Sequence, residues 1–420
     1  MSEIQERNVS SVDELLGAAR DAQVNTITVT QDLLDMPSIR LSPGQALRGG
    51  ERAPTIRFLG GQDGLELTSD NEVSGLRLVC DVDRRAVFND TSEPQLGRIA
   101  LSALKVTGVT QILAKDKVRG GHVEAHKIHI EAADARGFDF RPQGYGVQVV
   151  PGAFTIWNQQ SDTAVVISAD ITGISVGDAG KPVRGSGVFV SGAGDTGGRL
   201  ISTRIETGAV YSDGGIAPGT PDRISGGVFV VYGAFVDCVR NLGPVTTYGA
   251  NDMVLDNWGT VDRWLASDKI TSYGPSGIGF VNFGSINQLE ISAPIETFGR
   301  GARGFNVYAG TVGAAIFDRI VTHADGAVGL QISKPIGEVK VRRGIETFGG
   351  RGESLVKGVV VNLSAIALSV KPGGSIERAQ IMGGLTTHGH GVEALELHGR
   401  IGALEIGGRA EPAGGGFDKI

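Results

Sequence analysis

Aromatic residues make up only 6% of this chain, and its two cysteines, Cys80 and Cys238, lie 158 residues apart. So few thiols exclude a disulfide-framed scaffold. Long apolar runs are also missing. The longest, such as VFVVYGAFV at Val228–Val236, fall well short of the ~20 residues of a membrane span. There is no excess of basic charge, and a net charge of −7 with a pI near 5.6 argues against nucleic acid or an anionic membrane as the main partner. The opening MSEIQERNVSSVDELL has neither the basic start nor the apolar core of a signal peptide, so a cytoplasmic location is expected. HExxH and Walker A signatures are absent. What the chain has in excess is glycine, 65 of 420 residues, roughly twice the usual ~7%. No G-X-Y period accompanies it, and a hydrophobic content of 40% is that of a folded protein.

The glycines belong to a repeat. An apolar residue followed two positions later by Thr or Ser, with Gly close behind, recurs at Ile205, Val245, Ile270, Ile295, Ile320, Ile345 and Leu385. Successive starts differ by 40, 25, 25, 25, 25 and 40 residues, so each 40 reads as one 25-residue unit plus an insertion. Fixed self-similarity of this length marks a solenoid. Within a unit the apolar positions come in pairs two apart, as in Phe305 and Val307, Leu330 and Ile332, or Leu395 and Leu397. That is strand alternation, not the 3.6-residue spacing of a helix. The expected fold is all-β: a right-handed, single-stranded parallel β-helix with three short strands per ~25-residue coil, spanning residues 25–408. Residues 1–24 would hold an N-terminal segment and a capping helix at Ser11–Gln23, opened by a capping-box spacing of Ser11 and Glu14. Residues 409–420 would form a C-terminal tail.

The succession SVDELLGAAR, TITVTQDL, IRLSPGQALRGG and GLELTSDNEVSGLRLV resembles the opening of the pectin-lyase-like β-helix superfamily. The resemblance implies this fold and a bias toward carbohydrate. GHG at Gly389–Gly391 matches one short polygalacturonase motif, with His390 its candidate residue. The other motifs of that family have no equivalents here, so its activity is not carried over.

Stacked coils turn equivalent positions into rows. The inward row Thr207, Thr247, Ser272, Thr297, Thr322, Thr347 and Thr387 reads as a ladder of hydroxyls satisfying one another, and Asn257 with Asn282 as an amide ladder. Two outward rows are aromatic: Tyr248, Tyr273, Phe298, His323, Phe348 and His388, and then Trp258, Phe283 and Tyr308. They could stiffen the sheet, offer a sugar platform or form a subunit interface. Insertions at Ile174–Arg184, Tyr211–Arg223 and Gly350–Ala365 are expected to leave one corner and wall in a floor carrying these rows.

Carboxylates one or two coils apart would lie about 5–10 Å from each other, within the range of glycosidic acid/base pairs. Asp252, Asp256 and Glu296 are expected to point outward near this floor, Asp256 heading an outward row that continues Val281, Asn306 and Gln331; Asp256 with Glu296 is the favoured catalytic pair, and Asp252 the next candidate. Trp258, Tyr308, Phe283, Tyr273, His323, Asn306 and Arg300 are the candidate substrate-binding residues. The arginines of GRGARG, Arg300 and Arg303, could hold an acidic sugar or decorate a corner. His122, His126 and His129 cannot be gathered by one strand around a metal, and no metal or cofactor is expected. The favoured reading is a carbohydrate-active enzyme, a hydrolase, transferase or lyase, cleaving or transferring a glycosidic bond of an oligosaccharide. The alternative is a non-catalytic structural or adhesive β-helix assembling as a homo-oligomer such as a trimer.

Overall fold

The computed structural model describes residues 5–138, 142–356, 358–408 and 410–413. Among these, a parallel sheet of 26 strands and a sheet of 15 strands, parallel but for the short pair Gln143–Gly144 and Val147–Val149, run along one axis, and the hairpin of Arg351–Val356 with Val359–Ser364 forms a separate antiparallel pair. The chain is a parallel β-helix. One coil shows the plan: Asp252–Asn257 in the second sheet, then Thr260–Ala266 and Ile270–Ser272 in the first, before Ile278–Asn282 begins the next coil. Register is kept residue for residue, so that Asp256 pairs with Val281, Val281 with Asn306 and Asn306 with Gln331. Leu255, Phe280, Phe305 and Leu330 point inward and join the continuous apolar core.

The repeat glycine that follows the outward aromatic is dictated by close approach. A Cβ on Gly299 would stand 1.8 Å from the Gly274 carbonyl oxygen, and one on Gly274 would stand 1.7 Å from that of Gly249. No larger residue fits where these corners stack backbone on backbone.

At the N-terminus, Val12–Arg20 is helical and buries Leu15, Ala18 and Ala19 against the first coils. The Ser11 hydroxyl accepts from the Glu14 N–H at 3.3 Å, while the Glu14 carboxylate reaches back to the Ser10 N–H at 2.7 Å instead of to Ser11. The N-terminal segment holds more than the helix: Gln5–Val9 already pairs in parallel with Val24–Val29. Of the expected tail, Ala410–Pro412 continues the ladder against Leu385–Thr387, and residues 414–420 lie outside the described residues. Among the described residues, no helix is long and apolar enough to cross a membrane.

The inward hydroxyl row is arranged differently from the expected ladder. Thr322 and Thr387 donate to the carbonyls of Ala327 and Val392 at 2.7 and 3.0 Å, and Thr347 donates to Ala365. Thr247 reaches Ser272 only at 3.5 Å, and the buried Thr297 hydroxyl has no protein partner. These hydroxyls fasten the corner turns more than they fasten one another. The amide ladder does form, with Asn257 Nδ2 donating to Asn282 Oδ1 at 2.8 Å. Replacing Thr322 by Val should therefore cost about 1 kcal/mol or more of unfolding free energy, because the Ala327 carbonyl loses its donor. The same change at Thr297 should be close to neutral. Urea denaturation of the two variants beside the wild type checks this difference.

Candidate functional site

The outer face of the second sheet carries most of the candidate residues, and it divides into a covered half and an open half. In the covered half, Trp258, Phe283 and Tyr308 form a row as expected, joined by Met253, Ile278 and Val281. The row is not a solvent-facing floor. Tyr145 stacks on Phe283 at 4.4 Å and meets Trp258 edge-on at 5.1 Å, and its hydroxyl donates to the Phe283 carbonyl. Val147, from the same loop, and Val356, from the hairpin Arg351–Val356 with Val359–Ser364, pack against the cluster. Trp258, Phe283 and Tyr308 keep at most 8% of their surface exposed. The expectation of open walls around a floor is corrected here: apolar side chains on the inserted segments are better buried than solvated, so these segments lie down on the sheet.

Asp256 and Asn306 sit in the outward row as expected, but beneath the same cover and wholly buried. Neither Asp256 oxygen finds a hydrogen-bond partner. Desolvation raises the Asp256 carboxyl well above the ordinary range, with the nearby Trp258 indole offsetting only part of the effect. Asp252 is also fully buried, at the corner. It accepts from Ser225 Oγ at 2.5 Å and from the N–H groups of Gly249 and Gly214 at 2.7 and 3.2 Å. Burial outweighs these bonds and pushes its carboxyl up to about 6. Asp252 thus fastens the Gly214 loop to the coil. The expectation that both aspartates face solvent is corrected, because outward in the strand is not outside in the fold.

Glu296 belongs to Ile295–Thr297 in the first sheet, so it does not share a face with Asp256. Its carboxylate is hydrogen-bonded to His323 Nε2 at 2.8 Å. Tyr273 and His323 lie in the other aromatic row, a continuous stack from Tyr248 to His388. Its centroid spacings run from 4.4 to 5.3 Å and its ring planes lie within 13° of parallel. Each inner ring has both faces against its neighbours. The exposed parts of Tyr273, Phe298 and Phe348 are edges, whereas a sugar ring stacks on a face. Arg300 is exposed at the lip of a cleft of about 220 Å³, between Pro218 and Gly219 on one insertion and Glu353–Leu355 on the hairpin. These two insertions leave one corner, between the first sheet and the second, as expected, but the third does not: the Ile174–Arg184 excursion interrupts the first sheet between Val176 and Val183, which pair with Val210 and Ser212. His122 and His126 hydrogen-bond to Ser168 and Thr172 of the next coil, and among the described residues no group of three or more His, Cys, Asp or Glu side chains could hold a metal ion.

The open half lies nearer the N-terminus. A polar groove of about 640 Å³ there is lined by Asp63, Arg85, Gln111, Lys115, Trp157 and Gln159, among others. At its end, Arg40, Glu66, Phe88 and Gln111 follow one another in a single outward row. Burial raises the Glu66 carboxyl, assisted by Asp90 and Asp63 and opposed by Arg40 and Arg85. Asp90 is lowered in spite of its burial, because Ser92 donates both its N–H and its hydroxyl and Arg40 sits 2.6 Å away. Two neighbouring carboxyls are therefore shifted in opposite directions, Glu66 up and Asp90 down. The 25-residue period does not reach them, because the early coils differ in length: Glu66, Phe88 and Gln111 are spaced 22 and 23 residues apart. Strand alternation in GLEL at Gly64–Leu67 was the available signal.

No protein family, curated protein or solved structure matches the chain.

If Asp256 has no catalytic task, Asp256→Val, set between Phe229 and Val281 in its row, should raise the stability at pH 7 by about 1–3 kcal/mol, since it removes an unsatisfied buried carboxyl. Asp252 gives a pH dependence of known sign. Its folded pKa of about 6 lies above the ~3.9 of an unfolded aspartate, so its contribution to stability falls as pH rises from ~4 to ~6. Thermal unfolding across that window should show a shallower decline in Asp252→Asn than in the wild type.

Proposed function

We propose that this protein is a carbohydrate-active enzyme that acts on a glycosidic bond in the polar groove at the N-terminal end of the second sheet. In this reading Glu66 is the general acid and Asp90 the general base or nucleophile. The observation that carries it is the pair itself, two neighbouring carboxyls whose surroundings push one up and the other down, with Glu66 in the field of Asp63 and Arg85 on the groove wall. Glycoside cleavage needs that division of labour, a protonated group for the leaving oxygen and an ionised one for water or the anomeric carbon. The groove's mixed lining of carboxylates, amides and cations suits a ligand rich in hydroxyls. The resemblance to pectin-lyase-like β-helices supplies the carbohydrate in the proposal. Asp256 and Glu296, on different sheets, are not proposed as the catalytic pair.

A second reading, a solenoid that assembles with copies of itself, draws on the aromatic stack with its exposed edges at Tyr273, Phe298 and Phe348. Such edges form an apolar stripe suited to a subunit contact.

Activity should be read on a panel of chromogenic glycosides and oligosaccharides. Glu66→Gln and Asp90→Asn should each lower turnover by about 100-fold or more. The wild-type rate should fall at low pH as Asp90 protonates and at higher pH as Glu66 ionises, and Glu66→Gln should remove the upper limb. If no glycan is turned over, and a Tyr273→Asp, Phe298→Asp variant instead breaks an oligomer seen by sedimentation, the assembly reading replaces the enzymatic one.

A further inference from the structure

The hairpin Arg351–Ser364 covers a buried arginine whose unpartnered edge resembles one half of a salt bridge. Arg303 begins the strand Arg303–Val307 and is wholly buried on the outer face of the second sheet, between Ile278 and Val328. Its Nη1 donates to the Gly301 carbonyl at 3.2 Å, the same oxygen that accepts from Ser354 Oγ of the hairpin at 2.7 Å. Nε and Nη2, the two donors along one edge of the guanidinium, have no protein partner. Among the described residues no carboxylate lies within ion-pair distance of Arg303, and its guanidinium carbon sits 6.0 Å from the centre of the Tyr308 ring.

A buried guanidinium with an empty bidentate edge is costly unless something completes it. The Nε–Nη2 edge matches the two oxygens of a carboxylate or one face of a phosphate. A second orphan lies three residues along the same strand: the Asn306 amide is wholly buried, and neither of its polar atoms has a partner. The register neighbours of these two residues, Ile278 and Val281, line a small cavity of about 40 Å³ together with Tyr308 and Leu355. That cavity shares Asn251, Ser276 and Leu355 with the larger cleft carrying Arg300 at its lip, so the two lie side by side.

We infer that the face beneath the hairpin is a binding site for a small oxyanion ligand, a carboxylate or a phosphate ester, anchored on the Nε–Nη2 edge of Arg303 and hydrogen-bonded by Asn306. The hairpin closes over it through the Ser354 contact. This site is separate from the Glu66–Asp90 groove and does not depend on its function.

The test uses the full-length chain titrated with sodium acetate and with inorganic phosphate, by calorimetry and thermal shift, against sodium chloride at matched ionic strength. Saturable binding and a raised melting temperature are expected with at least one of the two, and whichever acts tells carboxylate from phosphate. Arg303→Lys, which keeps the charge and loses the paired donors, should weaken binding at least 10-fold. Asn306→Ala should weaken it at least 3-fold, and it provides the readout should Arg303→Lys not fold. Arg300→Gln, at the lip, should leave the affinity within 2-fold of wild type. No saturable effect beyond chloride would overturn the proposal. So would binding that survives both inner substitutions, or that is lost in Arg300→Gln alone.

Discussion

The side chains of the stacked coils are placed by the hydrogen-bonded register of one coil on the next. Because Asp256 pairs with Val281 and Val281 with Asn306, a choice made once in the 25-residue unit is repeated along the axis as a row. Rows of valine, leucine, isoleucine and phenylalanine make the core, asparagines make a buried amide ladder, and aromatic rings stack at about the spacing that strand pairing imposes. The glycines are a consequence of the same constraint. At 1.7–1.8 Å from the carbonyl below, a Cβ would force the corners apart and break the pairing on both sides.

Register also explains why two aromatic rows of similar composition behave differently. In the row from Tyr248 to His388, each ring lies flat on the next, and Glu296 and Glu346 hold His323 and His388 in place at 2.8 and 2.9 Å. Stacking uses the ring faces and leaves edges to solvent. In the row of Trp258, Phe283 and Tyr308 the rings are tilted, and Tyr145 and Val147 fill the relief they leave. The first row stiffens one flank, and the second anchors a cover.

The fold was legible in the sequence because the 25-residue interval and the pairing of apolar residues two apart are properties of local backbone geometry. The site was legible only in part. Alternation correctly put Asp256, Asn306 and Trp258 on the outer side of their strand, but it carries no information about what lies above that side. The covering segments are PQGYGVQVV at Pro142–Val150 and the hairpin after Gly350, both of which read as further strand or as loop. Their destination is set by where Tyr145, Val147 and Val356 can be buried, which is a tertiary matter. For Asp252 and Glu296 alternation likewise says nothing of the partners that hold them, Ser225 and His323, nor that Glu296 lies on the other sheet from Asp256. Glu66 and Asp90 are hidden from the sequence for the opposite reason: they lie in coils whose lengths vary, where the repeat gives no alignment to read.

The central claim is that the second sheet is covered over its C-terminal half and open over its N-terminal half. Hydroxyl-radical footprinting of the native chain, read by mass spectrometry, tests it most directly. Trp258, Phe283, Tyr308 and Met253 should be strongly protected, while Tyr273, Phe298 and Phe348 react readily at their exposed edges. If Trp258 and Phe283 react as fast as Phe298, the cover is not in place, and the account of a buried Asp256 and an enclosed Arg303 fails with it.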